Sequence, residues 1–191
     1  MSTDTYWLIA LVLGKLCYFP LNYRPSKYYF EFPPIDTKIP LIPIWIVPYY
    51  LYFSYLLAGG IFIWQTSFRH EYLIAYTLAT FSASLFWYFI PNGVKRPDAS
   101  HLKPSWPAKA IQQLYRHDKD GNGFPSAHVY ASLITSWYLI QAFPQYWYLW
   151  FGIGTAIALS TIFTKQHYIV DLVGGIAWTI GAVWFSSILG W

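Results

Sequence analysis

The sequence predicts an all-α protein, a polytopic membrane helix bundle of about six transmembrane helices that forms a single domain over residues 1–191. Hydrophobic residues make up 56% of the chain and aromatic residues 23%. Charged residues make up only 10%, whereas a soluble domain carries about a quarter. The charges fall in short stretches, which leaves charge-free windows long enough to cross a bilayer core of about 30 Å. This composition excludes a disordered chain, a coiled coil and an ordinary soluble globule.

The predicted spans in chain order are residues 6–20, 39–64, 72–90, 125–143, 146–164 and 167–191, of which the last contains one acid, Asp171. The first span is short and contains Lys15, so five spans is the alternative count. Only Pro144 and Gln145 separate the fourth and fifth spans, which predicts a tight helical hairpin. The proline- and tyrosine-rich residues 21–38 cannot form a regular helix, and we expect an interfacial loop or a short re-entrant segment there.

Cysteine content and net charge limit the partners. The single cysteine, Cys17, excludes an internal disulfide framework and a cysteine-based zinc site. A net charge of +4 is compatible with nucleic acid, but a chain this apolar favours lipid. We therefore expect membrane lipids as partners and no nucleic acid, and the oligomeric state stays open.

Two polar side chains lie at the start of the last predicted span. Polar residues in membrane segments are costly, so by default they mark function. His167 and Asp171 are four positions apart, a spacing that stacks them on one face of a helix. The carboxylate can then hold one ring N–H and leave the other ring nitrogen nucleophilic. The alternative is a polar contact that satisfies itself and carries no chemistry.

A second cluster, residues 123–128, leads into the fourth span. Pro125 follows a glycine and is placed like the first residue of a helix, with Ser126 next to it. Free N–H groups, the helix dipole and the Ser126 hydroxyl would together form an anion cradle. His128, one turn in, is a candidate proton donor to the same anion. Ordinary helix capping is the alternative.

A third cluster, Lys95-Arg96-Pro97, follows the third span, and its alternative interpretation is an interfacial stop signal. By the helix count, all three clusters lie on one membrane face. Together they supply an orienting acid, two histidines, a helix-start cradle and several cations. This is the set of groups that phosphoryl transfer requires.

With these motifs the sequence resembles the type 2 phosphatidic acid phosphatase superfamily of membrane lipid phosphatases. The matching residues, all within 89–175, are Arg96-Pro97, residues 125–128, and Ser160 with His167 and Asp171 at the family's spacing. Residues 35–36, 39–40, 49–50 and 165–168 are more similar to the branch that includes inositol phosphorylceramide synthases.

The resemblance implies a role for each matching residue. His167 would be the nucleophile that forms a phosphohistidine, Asp171 would orient it, and His128 would be the general acid. The phosphate would be held by Arg96, Ser126 and the backbone N–H of Ala127. The resemblance implies no metal and no cofactor.

The sequence departs from the family pattern at two positions. The family's first motif has a lysine seven residues before its arginine, and Phe89 stands there in this chain. In the third motif, Thr161 replaces the arginine that follows the serine. Because a phosphate site that loses two cations needs others, we expect Lys95 and Lys165 to bind the phosphate in their place.

Residues 118–123 match the first half of a calcium-binding EF-hand loop. The twelfth position, which should carry a bidentate Glu, is Val129, so we expect this turn to order the loop before the anion cradle rather than to bind calcium. We expect the histidines at positions 70, 101 and 117 to be solvated, without fixed partners.

The expected function is a membrane-embedded phosphatase that removes phosphate from a lipid phosphate or diphosphate through a phosphohistidine. Phosphatidic acid, phosphatidylglycerol phosphate and isoprenyl diphosphates remain open as substrates. One alternative is a lipid phosphotransferase, in which an alcohol such as inositol replaces water. Another is a non-enzymatic lipid-binding bundle, which the changes at Phe89 and Thr161 would fit.

The charges also bear on orientation in the cell (inner) membrane. One face collects ten cations, at positions 24, 27, 38, 95, 96, 103, 109, 116, 119 and 165, and the other only Arg69. The positive-inside rule would put the first face in the cytoplasm, whereas the resemblance implies an active site on the extracytoplasmic side. Because cations that bind phosphate inflate the count on the first face, we expect that face, with the active site, on the extracytoplasmic side. Without Lys95, Arg96 and Lys165, the first face still has seven cations and the other face one.

Overall fold

The computed structural model describes residues 2–190, which are all-α as predicted, with two isolated β-bridges and no strand in that range. The helices are α1 (Thr3–Asn22), α2 (Pro33–Asp36), α3 (Ile46–Trp64), α4 (Arg69–Phe89), α5 (Trp106–His117), α6 (Ala127–Ala142), α7 (Trp147–Phe163) and α8 (Ile169–Leu189). Short 3-10 turns precede α3 at Pro43–Trp45 and α7 at Pro144–Tyr146. The second of these turns confirms the predicted hairpin.

The long helices correspond to the six predicted spans. Within residues 2–190, four helical segments are long and apolar enough to cross a membrane: Pro43–Trp64, Arg69–Phe89, Pro144–Phe163 and Ile169–Leu189. α1, which carries Lys15, and α6, which has 16 residues, are not among the four. The protein is a polytopic membrane protein built as a helix bundle.

Some predicted boundaries are wrong. His167 does not lie on the last helix, because α8 begins two residues later at Ile169. Residues 21–38 contain one helical turn, α2, which starts at Pro33 because the fixed φ of proline suits the first position of a helix. α1 also continues past the predicted end of its span, through Pro20 to Asn22.

α5 lies in a polar stretch where no charge-free window predicts a helix. Ser105 caps it, its hydroxyl accepting a hydrogen bond from the Ala108 amide at 3.3 Å. Ala108, Ile111 and Leu114 form its buried face, and the last two share a core cluster with Tyr49 of α3. α5 is therefore an amphipathic helix that covers the N-terminal end of α3.

α6 occupies the centre of the bundle and contacts α3, α4, α7 and α8. Its polar side chains bond to neighbouring helices rather than face lipid: the hydroxyl oxygens of Tyr138 and Ser186 are 2.7 Å apart, as are those of Ser136 and Tyr55. α1 packs on α4, and a cavity separates it from α3. Large apolar side chains are exposed on the outer faces of α1, α3, α4, α7 and α8, as expected for surfaces that meet lipid.

The sequence motifs meet at one end of the bundle, which we call the site end. It contains the C-terminal ends of α1, α4 and α7 and the N-terminal ends of α3, α6 and α8. At the opposite end, the Asp4 carboxylate accepts a hydrogen bond from Arg69 Nε at 2.8 Å and lies 2.6 Å from His70 Nδ1. His70 therefore has a fixed partner, contrary to expectation. His101 Nε2 also lies near an acid, 3.3 Å from Asp98 at an exposed position.

Gly175 marks a close approach between α8 and the start of α6. A Cβ there would lie 2.6 Å from the Cβ of Val129 and 3.1 Å from the Ser126 carbonyl oxygen. We expect Gly175→Ala to force the two helices apart and to lower the free energy of unfolding by about 1–3 kcal/mol. The matched control is Gly181→Ala on the same helix, where a Cβ meets nothing within 4 Å. Thermal unfolding in detergent compares the variants, and equal midpoints would contradict the prediction.

Candidate active site

His167 and Asp171 form a buried pair at the start of α8. His167 Nδ1 lies 3.3 Å from Asp171 Oδ2, and the Tyr168 amide donates to the same oxygen at 2.9 Å. A carboxylate only accepts, so this contact puts the ring proton on Nδ1 and leaves the lone pair of Nε2 free. Asp171 is in the first turn of α8, where the helix dipole favours its negative charge. The predicted pair therefore forms, although His167 lies outside the helix.

A tight turn between α7 and α8 positions His167. The carbonyl of Thr161 accepts hydrogen bonds from the amides of Gln166 at 2.9 Å and His167 at 3.1 Å. Lys165 takes the left-handed conformation that the turn requires, with φ 55°. This backbone arrangement directs His167 back over the first turn of α8, towards α6.

The N-terminus of α6 is tied to the same acid. The Ser126 amide donates to the Asp171 carbonyl at 3.2 Å, and the Ser126 hydroxyl accepts from the Val129 amide at 3.4 Å. Ser126 is fully buried, so its side chain is engaged in capping α6. Ala127, whose amide is also a predicted phosphate ligand, lies beside His128 in a cavity wall.

His128 packs against two tyrosine rings of α3. Its ring centroid lies 4.4 Å from that of Tyr49, in a stacked arrangement, and 4.2 Å from that of Tyr52. Both ring nitrogens are buried and have no hydrogen-bond partner among residues 2–190. The ring centroids of His128 and His167 are 6.2 Å apart. The two imidazoles therefore lie next to each other at the site end.

Arg96 bridges the loops before α6 and α8. Its guanidinium donates to the carbonyls of Asp118 at 2.9 Å and Lys119 at 2.6 Å, and to Gln166 Oε1 at 2.6 Å. The Asp118 carboxylate lies 3.3 Å from the same guanidinium. Arg96 Nε and Gln166 Nε2 are buried and have no partner in the part of the chain described. Buried donors without acceptors are costly, which is expected where a ligand supplies the acceptor.

Two lysines complete the cationic surroundings. Lys95 is exposed, and its amide donates to the Tyr168 hydroxyl at 2.9 Å. Lys165 Nζ donates to the Asp36 carbonyl at 2.8 Å. Burial lowers the pKa of Lys165, while the carboxylates of Asp36 and Glu31 oppose that shift.

Two cavities reach the histidine pair. The His167 cavity, of about 370 Å³, is lined by Asp36, Lys95, Arg96, Lys165, His167 and Tyr168, together with apolar residues such as Ile39 and Leu41. The His128 cavity, of about 760 Å³, is largely aromatic and is lined by Lys15, Tyr18, Phe19, Tyr49, Tyr52, Phe53, Asp118 and His128, among others. The predicted nucleophile and the predicted general acid therefore lie in the walls of different cavities.

Several residues at the site are not predicted as site residues from sequence. The Asp36 carboxylate accepts from the Phe32 amide at 2.7 Å and from the Ile169 amide at 2.9 Å, which ties α2 to the start of α8. Burial raises the pKa of Tyr168 to about 12, so its hydroxyl stays protonated beside Lys95. Asp36 lies in a segment that the resemblance singles out, and this is the one signal that could have identified it.

The acidic turn at residues 118–123 is part of the scaffold. Asn22 Nδ2 donates to the Asp118 carboxylate at 2.8 Å, and Asn122 Nδ2 donates to the Tyr18 carbonyl at 3.0 Å. Both contacts tie this loop to the end of α1. Within residues 2–190, no group of three His, Cys, Asp or Glu side chains is arranged to hold a metal ion.

A comparison with protein families places the chain in a known family. The family model described as the PAP2 superfamily matches residues 72–191, well over half of the chain. The chain belongs to the PAP2 superfamily. Membership confirms the resemblance at the superfamily level and supports phosphatase-type activity on lipid phosphates in general. No curated protein and no solved structure matches the chain.

The two departures from the PAP2 pattern supply no charge to the site. Phe89, the last residue of α4, is 69% exposed and lines neither cavity. The hydroxyl of Thr161 is buried and donates to the Ala158 carbonyl at 2.7 Å. Lys95 and Lys165 both line the His167 cavity. Their role as replacements for the two missing cations stays a prediction.

We expect Asp36→Ala to destabilise the site end, because it removes the acceptor of two part-buried hydrogen bonds, from the amides of Phe32 and Ile169, at about 0.5–1.5 kcal/mol for each. Asp98→Ala is the matched control, since Asp98 is exposed and contacts Ser100 and His101 of its own turn. Thermal unfolding in detergent should show a lower midpoint for Asp36→Ala alone. A similar loss in both variants would mean that the α2–α8 contact adds nothing specific.

Proposed function

We propose that the protein is a metal-independent lipid phosphatase that works through a phosphohistidine on His167. The observation that carries this proposal is the buried histidine pair: His167 is held by Asp171 with Nε2 free, and lies 6.2 Å from His128 between ring centroids. Membership of the PAP2 superfamily supports the same chemistry at a coarser level.

In the proposed mechanism, Nε2 of His167 attacks the phosphorus in line with the lipid oxygen. The bond from phosphorus to that oxygen breaks, and His128 donates its proton to the departing oxygen. Water then attacks the phosphohistidine, His128 takes a proton from the water, and inorganic phosphate leaves. Asp171 stabilises the positive charge that His167 acquires.

The phosphate oxygens would be held at the His167 cavity, which Lys95, Arg96 and Lys165 line. The Ala127 amide, the further predicted donor, lies at the start of α6 in the wall of the His128 cavity. Ser126 contributes by fixing the helix start against Asp171. The unpartnered Nε of Arg96 supports the presence of an anionic ligand in this cavity.

The first test measures phosphate release from lipid phosphates in detergent with EDTA present. We expect release by the wild-type protein, and a loss on the order of 1,000-fold or more in His167→Ala, because the nucleophile is gone. His101→Ala is the matched control, because His101 is exposed at the same end of the bundle and lines neither cavity. A phosphoenzyme that is stable to alkali and labile to acid would identify the phosphohistidine.

Other outcomes of this test would favour the alternatives. Formation of a new lipid headgroup only when inositol or another alcohol is added, detected by mass spectrometry, would establish a phosphotransferase. One contact supports that second candidate: Lys165 and Asp36, which both lie in segments similar to inositol phosphorylceramide synthases, are joined by a hydrogen bond of 2.8 Å. Inactivity with water and with alcohols would indicate a non-enzymatic lipid-binding bundle.

We also propose that the site end faces the extracytoplasmic side of the cell (inner) membrane, as the family resemblance implies. Gln145, exposed in the turn between α6 and α7, would then face the cytoplasm. In a Cys17→Ser background, a cysteine at Gln145 should react with an impermeant thiol reagent only after cells are opened. A cysteine at the exposed Lys109 of α5 should react in intact cells. The reverse pattern would place the site in the cytoplasm, as the positive-inside rule predicts.

A further inference from the structure

Lys15 is a cation in the interior of the bundle. Its Nζ lies 3.5 Å from the Tyr52 hydroxyl oxygen, 4.6 Å from the ring centroid of Tyr76 and 5.8 Å from that of Tyr130. The neighbouring α1 residues Leu13 and Leu16 are exposed on the outer face, whereas Lys15 lines the His128 cavity. The lysine side chain therefore points away from lipid and into the cavity.

No carboxylate neutralises this ammonium. Among residues 2–190, every salt bridge within 4 Å involves other cations. Asp118 lines the same cavity, but its carboxylate is held by Asn22 and Arg96. Aromatic faces and one hydroxyl offset only part of the cost of a charge at membrane depth. An anion that enters the cavity would remove the rest of that cost.

A chain of short contacts connects Lys15 with the histidine pair. The ring centroid of His167 lies 6.2 Å from that of His128, which lies 4.2 Å from that of Tyr52. The Tyr52 hydroxyl in turn contacts Lys15. α1 ends at Asn22 on the site end, so a rise of 1.5 Å per residue puts Lys15 about 10 Å further into the bundle.

We infer that Lys15 binds a second phosphate of the substrate in the His128 cavity, so that the preferred substrate is a lipid carrying two phosphates. This inference rests on the proposed function, in which the phosphate to be removed lies at His167 and the leaving group lies beside His128. A cation beyond the general acid matches a leaving group that is itself anionic. A plain lipid alcohol would instead put neutral atoms beside an unpaired ammonium.

The second phosphate has two possible chemical sources. It is either the inner phosphate of a lipid diphosphate or the phosphodiester of a lipid that carries a separate terminal phosphate. In both cases Nε2 of His167 bonds to the terminal phosphorus, and the bond from that phosphorus to its ester or bridging oxygen breaks. His128 protonates the oxygen, and the leaving group keeps its own phosphate, paired with Lys15. Water then hydrolyses the phosphohistidine as before.

The test compares pairs of lipids that share a tail and carry either two phosphates or one. One pair is a polyisoprenyl diphosphate and the corresponding monophosphate. The other pair is phosphatidylglycerol phosphate and phosphatidic acid. We expect the wild-type protein to have the higher kcat/KM for the two-phosphate member of at least one pair, and the pair that shows this preference identifies the source.

Lys15→Met should remove the preference. We expect a decrease on the order of 10- to 100-fold in kcat/KM for the two-phosphate substrate, the range for one charge-assisted hydrogen bond, with little change for its single-phosphate partner. Lys15→Arg should retain the preference. Lys38→Met removes an equal charge at an exposed position outside the His128 cavity and is the matched control.

The activity of Lys15→Met on single-phosphate substrates shows that the variant is folded. An unchanged preference in Lys15→Met, or an equal loss on both members of each pair, would overturn the inference and leave the phosphatase proposal intact. Activity that survives in His167→Ala would overturn the phosphatase mechanism itself. If Lys15→Met does not fold, the wild-type protein and Lys15→Arg still test the inference. A wild-type protein that prefers single-phosphate lipids would contradict it.

Discussion

The site depends on Asp171, a carboxylate that is almost completely buried where α8 begins. Its side chain holds the His167 ring and the Tyr168 amide, and its backbone carbonyl accepts from Ser126 at the start of α6. One residue therefore sets both the tautomer of one histidine and the position of the helix that carries the other. Such a buried charge is tolerated because N–H donors and a helix N-terminus surround it.

Much of the fold can be predicted from sequence, because a span needs a long charge-free window and such windows are easy to see. This reasoning identifies α3, α4, α6, α7 and α8 and the turn at Pro144. It does not identify α5, whose apolar residues lie on one face only. The spacing of His167 and Asp171 predicts their contact correctly but for the wrong reason, because the histidine reaches the acid from a turn and not along a helix.

The rest of the site depends on contacts between residues far apart in sequence. Asp36 reaches Ile169, and Tyr52 reaches His128, through folding that no local pattern specifies. In the sequence, Lys15 only argues against a first membrane span. Its place in the His128 cavity cannot be predicted, because hydrophobic periodicity does not show which helix an α1 side chain contacts. The family comparison supports the superfamily, while the roles of individual residues stay predictions.

The His128 cavity lies between α1 and α3, and exposed side chains of Phe19 and Phe53 form part of its wall. A lipid substrate of the kind proposed would therefore enter from within the membrane plane without crossing water. The quantity that governs its occupancy is then the mole fraction of substrate in the bilayer or micelle, not its concentration in bulk solution. Adding detergent at constant total substrate would lower the reaction rate, because the substrate is diluted within the micelle surface. Rates for different lipids are therefore comparable only at equal mole fractions of substrate in the micelle or bilayer.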